Sequence, residues 1–402
     1  MAMALPAKAT HQQTRAFNSA LVLRVLYDAG PVSRASVARL TGLTSTTVSE
    51  LVAALIADGL AREVGRGPST GGKAPILVEL IDDARHAIGL DLGERAFRVA
   101  VVNLRGTVRR VIEAPIDAPD GDEALALVFD LVDQVVAETR PTLLGIGVGT
   151  PGVVDAASGT IRWAVNLDWQ DLPLAAILAE RYRVPAYVAN DSRAAALAIH
   201  LFGSDPRPTN LVAIKVGRGI GAGVVLGGEL FHGDGAGAGE IGHTVVEVDG
   251  VRCRCGRLGC LETVASTRAI LALVTEVAKE VPDGLLGRRY SAAGRLTLED
   301  VSTALEAGDA DAQRIVAAAG RYLGQVVAGM IGILDVERIV LHGSVAKLGG
   351  PWLDAVRDEA TRRSLGLLAA RTAIEVVADD DLVVRGASAL LLTGELGLAV
   401  IR

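Results

Sequence analysis

The chain has 402 residues, half of them apolar and only 3% aromatic, with a formal net charge of −7. That length predicts two or three domains. No run of about 18 uncharged apolar residues is present to cross a membrane, and the start, MAMALPAKATHQQ, has no apolar core leading to a cleavage site, so neither membrane insertion nor secretion is expected. The charge is uneven: residues 1–80 carry eight Lys and Arg against five Asp and Glu, the remainder 32 against 42. A basic head on an acidic body is the distribution a DNA-binding segment joined to a small-molecule domain would show.

Residues 12–29 read as a helix, with Leu21, Val22, Val25 and Leu26 at helical spacing and Gly30-Pro31 as the stop. Ser33 caps a second helix over 34–40, Thr41-Gly42-Leu43 makes a tight turn, and Thr44 caps a third over 45–58, ended by Gly59. Helix, short glycine-containing turn, helix is the helix-turn-helix pattern. Val48, Leu51 and Leu55 are expected to face inward. That leaves Ser45, Thr46, Thr47 and Ser49 at the exposed start of the third helix, free to approach base edges or phosphates. Short strands over 60–64 and 76–80 flank GRGPSTGGKAP, a glycine-rich loop carrying Arg66 and Lys73. It has the make-up of a wing lying on the DNA backbone, a contact that is sequence-independent and salt-sensitive. The same elements would also suit a small bundle that mediates contacts between proteins.

From residue 87 the pattern changes to β period, with two or three strands and turns at Gly93-Glu94 and Arg105-Gly106. An amphipathic helix over 122–139, a buried strand over 143–148 and a sharp glycine-containing turn over 149–155 follow. A strand over 185–189 ends at Asn190-Asp191, before a helix over 192–202; by residue type alone, Asn-Asp there is a capping pair. Strands over 211–216 and 221–226 surround Gly217-Arg218-Gly219-Ile220. Residues 296–307 and 309–334 read as helices, 336–341 as a strand and 387–396 as a closing helix. Each half starts strand–turn–strand, a weak duplication.

All three cysteines lie in one stretch, GEIGHTVVEVDGVRCRCGRLGCLE, residues 239–262. Cys253, Cys255 and Cys260 with His243 make a four-ligand set of the kind zinc takes, and four protein ligands leave no open position, so the metal is expected to be structural. A reduced thiol cluster without metal is the alternative; a disulfide would leave one cysteine over. So few cysteines, in a metal pattern, suit a reducing cytoplasm. Glu240 and Glu262 bracket the ligands, and carboxylates accept paired hydrogen bonds from neighbouring hydroxyls, which suits a polyhydroxylated ligand.

Glu-x-Gly-His followed by Cys-x-Cys-Gly-x-x-Gly-Cys-x-Glu resembles the signature of the ROK family (repressors, open reading frames, sugar kinases), and the likeness runs over nearly the whole chain. The resemblance implies an α/β fold with an N-terminal winged helix-turn-helix over 1–80 and a two-lobed actin-like, ribonuclease H-like sugar-kinase body. The first lobe would span 86–205 with a C-terminal helix over 384–402, and the second 206–383. It further implies structural zinc on His243, Cys253, Cys255 and Cys260, and a sugar site of Asn190, Asp191, Glu240, His243 and Glu262. Asp191 would be the general base in a kinase. Asn166-Leu167-Asp168-Trp169 is similar to the family's Asn-Leu-x-Trp region, with Trp169 either core or sugar platform.

The family's kinases lack the head and follow Asp-x-Gly with Gly-Gly-Thr. Here Glu94 and Arg95 follow Asp91-Leu92-Gly93, and Arg218 stands where Thr is usual. A fixed carboxylate about 4 Å from a phosphate charge costs on the order of 4 kcal/mol at an effective dielectric near 20, which weakens the ATP reading. The expected protein is a cytoplasmic, non-enzymatic regulator, a repressor of carbohydrate-uptake or catabolism genes. It would act as a homodimer or homotetramer on a double-stranded operator, controlled by a sugar or sugar derivative. The alternative is an ATP-dependent sugar kinase carrying a DNA-binding head.

Overall fold

The computed structural model describes residues 11–68, 74–117, 121–203 and 207–398. The head has helices His11–Ala29, Arg34–Thr41 and Ser45–Ala57 and a three-stranded sheet ordered Val32–Ser33, Ile76–Leu80, Ala61–Arg66. Ser33 Oγ accepts the Ser36 N–H at 3.1 Å and Thr44 Oγ1 that of Thr47 at 3.2 Å, so each helix start is satisfied by a hydroxyl. Gly42, at φ 71°, ends the second helix in a backbone region open to glycine, and the next helix leaves at 116° to it. That angle falls in the range of helix-turn-helix pairs, about 90–120°. Gly67 N–H donates to Pro75 O at 2.9 Å and closes the base of the hairpin, whose tip lies outside the described residues.

The head's core does not close on itself. Val22, Leu26, Val48, Leu51 and Leu55 share one buried cluster with Leu104 of the first lobe and with Leu392 and Leu398. Beside it the Tyr27 ring lies between two guanidinium groups, Arg105 at 4.3 Å and Arg207 at 5.0 Å from its centroid. Arg105 also donates to Tyr27 O at 2.5 Å, and Arg207 pairs with Asp28 at 2.9 Å.

Two five-stranded sheets make the body. Along one sheet lie Ala186–Asn190, Leu143–Thr150, His86–Leu92, Ala96–Asn103 and Val108–Pro115. Along the other lie Glu229–Leu230, Ile220–Leu226, Leu211–Val216, Arg338–His342 and Ala373–Val376. Counted within each sheet, both have the order 3-2-1-4-5, three antiparallel strands followed by two parallel ones. The weak duplication expected from the two strand–turn–strand starts is therefore complete at the level of topology. A smaller sheet of Val153–Asp155, Thr160–Ala164 and Trp169–Leu172 stands beside the first.

Helix Leu382–Leu396 packs on the first sheet, and Asp191–Phe202 packs against it and, mainly, on strands Leu211–Val216 and Ile220–Leu226 of the second. Gly89 and Gly147 allow the approach of Leu382–Leu396: a Cβ on them would fall 2.1 Å from Val384 O and 1.9 Å from Ala387 O. The closing helix thus begins at Leu382, earlier than position 387, because Val383 and Val384 are buried against the strands. Helices Leu174–Tyr182, Thr267–Glu280, Leu285–Ala293 and Gly350–Arg363 were not expected from periodicity. Ala310–Leu334 is long and apolar enough to cross a membrane by length and composition. Most of it is buried instead, with Leu323, Val327 and Ile331 in the same cluster as Trp352.

Candidate functional site

Strand Ala186–Asn190, the small sheet, the 217–219 turn and the cysteine loop open on one cavity of about 300 Å³, at the lower end of ligand pockets, roughly 300–1,000 Å³. Asn190, Asp191, Glu240, His243 and Glu262 all line it, together with Glu94, Lys215 and Arg218.

Asn190 is spent on structure. Its Oδ1 accepts the Ser192 N–H at 2.9 Å, capping the helix, and its Nδ2 donates to Gly152 O at 3.0 Å. Asp191 Oδ1 accepts the same N–H at 2.7 Å, while Oδ2 pairs with Lys215 Nζ at 2.6 Å. Lys215 comes from the second sheet, so this ion pair joins the lobes. Burial alone would lower the lysine; the Asp191 and Asp91 carboxylates outweigh it and hold the ammonium above its ordinary value. Burial lifts Asp91 to about 6 against the pull of Lys215, and its Oδ1 is enclosed without a hydrogen-bond partner among the described residues. The lysine was missed in the sequence, although a cation inside the apolar run LVAIKV demands a buried counter-charge.

The carboxylates beside the cysteine loop differ in how free they are. Glu240 is half-buried, its carboxylate accepts no hydrogen bond from the described residues, and burial raises it above its ordinary pKa against the pull of His243 and Arg193. Arg193 donates to Ala238 O at 2.9 Å and to Ala236 O, fixing the loop before Glu240. Glu262 Oε2 accepts the Ile220 N–H at 3.4 Å, and Oε1 faces Arg268 at 3.6 Å. Glu94 reaches across the cleft to accept the Arg218 N–H. Arg95 points to solvent. Trp169 is core, 5% exposed, with its ring N–H on Gly121 O at 2.8 Å; the aromatic that lines the cleft is Trp163, 52% exposed.

The ligand atoms of His243, Cys253, Cys255 and Cys260 all lie within 4.8 Å of one another. Cys253 Sγ is 3.6 Å from His243 Nδ1, and Cys255 Sγ is 3.6 Å from Cys260 Sγ. Tetrahedral zinc, with bonds of about 2.3 Å to sulfur and 2.0–2.1 Å to nitrogen, sets ligand separations of roughly 3.3–3.8 Å, so this donor set fits the metal. With Nδ1 turned to the thiols, Nε2 is the ring atom left for the cleft. A Tyr322–Glu247 hydrogen bond ties the loop to Ala310–Leu334.

On the head, Ser45, Thr46, Ser49 and Arg66 are exposed. Ser49 Oγ donates to Ser45 O at 2.8 Å, and the Thr47 and Thr44 hydroxyls share a 2.9 Å hydrogen bond, so two of the four hydroxyls are engaged locally. Lys73 lies outside the described residues.

His342, buried at the end of its strand, is pushed down to about 3 by burial and by Lys215. Between pH 6.5 and 3 the unfolded chain therefore holds a proton that the folded chain does not, and stability falls as pH drops through that window. Asp91 acts the other way between its ordinary 3.8 and about 6, since its folded form takes the proton first. Chemical denaturation of His342→Asn at pH 7 and 4.5 should show a drop about 2–3 kcal/mol smaller than the parent's. An equal drop would place the imidazole in contact with water.

A helix-turn-helix with a β-hairpin, rooted on a duplicated actin-like body with a Cys3His cage at its cleft, defines the architecture of a ROK-type regulator. The chain belongs to the ROK family, whose model matches residues 87–393. It is 32% identical over 359 residues to a xylose repressor of Caldicellulosiruptor bescii, covering 88% of this chain and 90% of that one. It is 35% identical over 279 residues to a glucokinase of Halalkalibacterium halodurans, covering 68% of this chain and 84% of the other. The crystal structure of a ROK family transcriptional regulator, a homolog of the E. coli MLC protein, matches with a TM-score of 0.84 at 25% identity, covering 96% of this chain and 98% of that one.

Proposed function

We propose that this protein is a sugar-responsive transcriptional regulator, a repressor of carbohydrate-uptake or catabolism genes acting in the cytoplasm. The observation that carries the reading is that the likeness to the xylose repressor runs through head and body together, whereas the glucokinase likeness leaves about a third of the chain unmatched. Residues 1–80 bind the operator. Residues 86–205 with 384–402, and residues 206–383, are the two lobes around the sugar. One structural zinc on His243, Cys253, Cys255 and Cys260 holds Glu240, Glu262 and the free edge of His243 in place. Two features weigh against the kinase alternative. Asp191, the would-be base, is tied to a lysine, and a carboxylate stands on the turn where phosphates would lie.

A sugar held by groups from both lobes favours the closed state by its differential affinity. Helix Asp191–Phe202 starts at the cleft and is buried over nearly its whole length. Its far end, Phe202, packs against the head's core, and a few residues on Arg207 grips Tyr27. Closure at one end is thereby felt at the head, with a coupling of about 1–3 kcal/mol, or 5–150-fold in DNA affinity.

The test is selection from a randomised duplex pool by the full-length protein. A pseudo-palindrome with half-sites about one helical turn apart, or a multiple of it, should emerge, as expected for a homodimer or homotetramer. Titration with xylose, glucose and N-acetylglucosamine then seeks the sugar that shifts operator affinity. Arg66→Ala should weaken binding to all sequences alike and reduce the salt slope by about one. If no sequence is enriched, and the sugars yield ADP from ATP, the protein is a kinase.

A further inference from the structure

We infer that Glu94 is a built-in anion. Its carboxylate fills the Arg218 backbone donor of the 217–219 turn, latches the lobes, and restricts the cleft to uncharged sugars, excluding sugar phosphates and nucleotides. This rests on the cleft being the sugar site.

The turn is built to receive anions. Arg218 and Ile220, one residue apart on either side of Gly219, both direct their N–H groups to carboxylates in the cleft, and backbone donors that converge in a turn favour an anion. Here both donors are answered from within the chain, Arg218 by Glu94 of the first lobe and Ile220 by Glu262 at the end of the cysteine loop. The two glycines are what let the carboxylates so close. A Cβ on Gly217 would stand 2.6 Å from Glu94 Oε1, and one on Gly219 would stand 3.0 Å from Glu262 Oε2. Glu94 itself is thrown across the cleft by the hairpin between His86–Leu92 and Ala96–Asn103. The turn at Gly93 is tight enough that a Cβ there would meet Ala96 O at 2.8 Å.

Glu94 interacts electrostatically with both Asp91 and Lys215, and Lys215 is already paired with Asp191. Beneath Glu94 the Asp91 and Asp191 carboxylates thus share Lys215, while the Arg218, Arg254 and Arg268 side chains line the same cavity. A phosphate arriving at the Arg218 N–H would have to evict the Glu94 carboxylate that already holds it. A sugar hydroxyl faces no such barrier, because it donates to the outer oxygen of Glu94 without displacing it.

The measurement is calorimetry on the zinc-loaded full-length parent and on Glu94→Ala and Glu94→Gln. Glu94→Gln keeps an acceptor for the Arg218 N–H and so guards against loss of fold. The probes are pyrophosphate and the pairs glucose with glucose 6-phosphate and N-acetylglucosamine with its 6-phosphate. The parent should give no saturable binding of pyrophosphate, and Glu94→Ala should gain at least about a hundredfold in affinity for it. In the parent, whichever neutral sugar binds should outcompete its phosphate by a similar factor. Pyrophosphate bound equally by parent and both variants, or a sugar phosphate preferred by the parent, overturns the inference. A gain for pyrophosphate with no sugar bound by any form would leave the plug standing and remove the sugar reading instead.

Discussion

Cys260→Ser protein is expected to retain well below one zinc per chain, where the parent retains one, and to lose its response to sugar. The size of the effect follows from how little else orders the cysteine loop. Val245, Val248, Val251 and Leu258 are exposed, so the segment has almost no apolar core of its own. What remains is mainly backbone hydrogen bonding, such as Val246 N–H to Gly259 O and Leu261 N–H to Thr244 O, with the Tyr322–Glu247 and Arg254–Asn166 side-chain hydrogen bonds. Structural zinc contributes roughly 10–16 kcal/mol of apparent folding free energy in small metal-bound peptides at neutral pH. Loss of the metal should therefore release Glu240 and Glu262 while the head, whose core is elsewhere, still binds operator. Metal analysis and operator titration check both parts. Full zinc occupancy in the variant, or an unchanged sugar response, would refute the cage.

Asp191→Ala should destabilise the protein by about 3–5 kcal/mol, because it strands the Lys215 ammonium in a buried site. Asp91 nearby offers partial compensation, which places the expected value at the lower end. Lys215→Met in the Asp191→Ala background should recover most of the loss, since removing both charges is often close to neutral. Chemical denaturation of the four-member cycle gives the coupling directly. Additive losses would show that the 2.6 Å pair contributes nothing to folding. Glu240→Gln is the cleaner probe of the sugar, because the Glu240 carboxylate accepts no hydrogen bond from the described residues.

What could be read from the sequence was the chemistry carried by short contiguous patterns. Ser33, Gly42 and Thr44 announce the helix-turn-helix because caps and left-handed turns are local. The cysteine loop is legible for the same reason: its three cysteines and histidine span a single short segment. What escaped notice are contacts between distant segments. Glu94 was legible as a charge in the wrong place for a phosphate, but not as the group that takes the Arg218 N–H, since those residues belong to different sheets. Trp163 and Trp169 differ by six positions and have opposite exposures. The difference is set by which face of the small sheet packs on the helix at Gly121. Asn190 lines the cavity and at the same time performs the local capping role that its residue type suggests.

The interlocked core of the head bears on how the protein is made. Leu392 and Leu398 pack among Val22, Leu26 and Leu55, so the core of the head is completed by residues translated after both lobes. Arg105 and Arg207, which hold Tyr27, also arrive later than the head. A chain that ends before Leu392 is therefore expected to carry a less stable head than the full-length protein, which thermal unfolding of the truncated form would check.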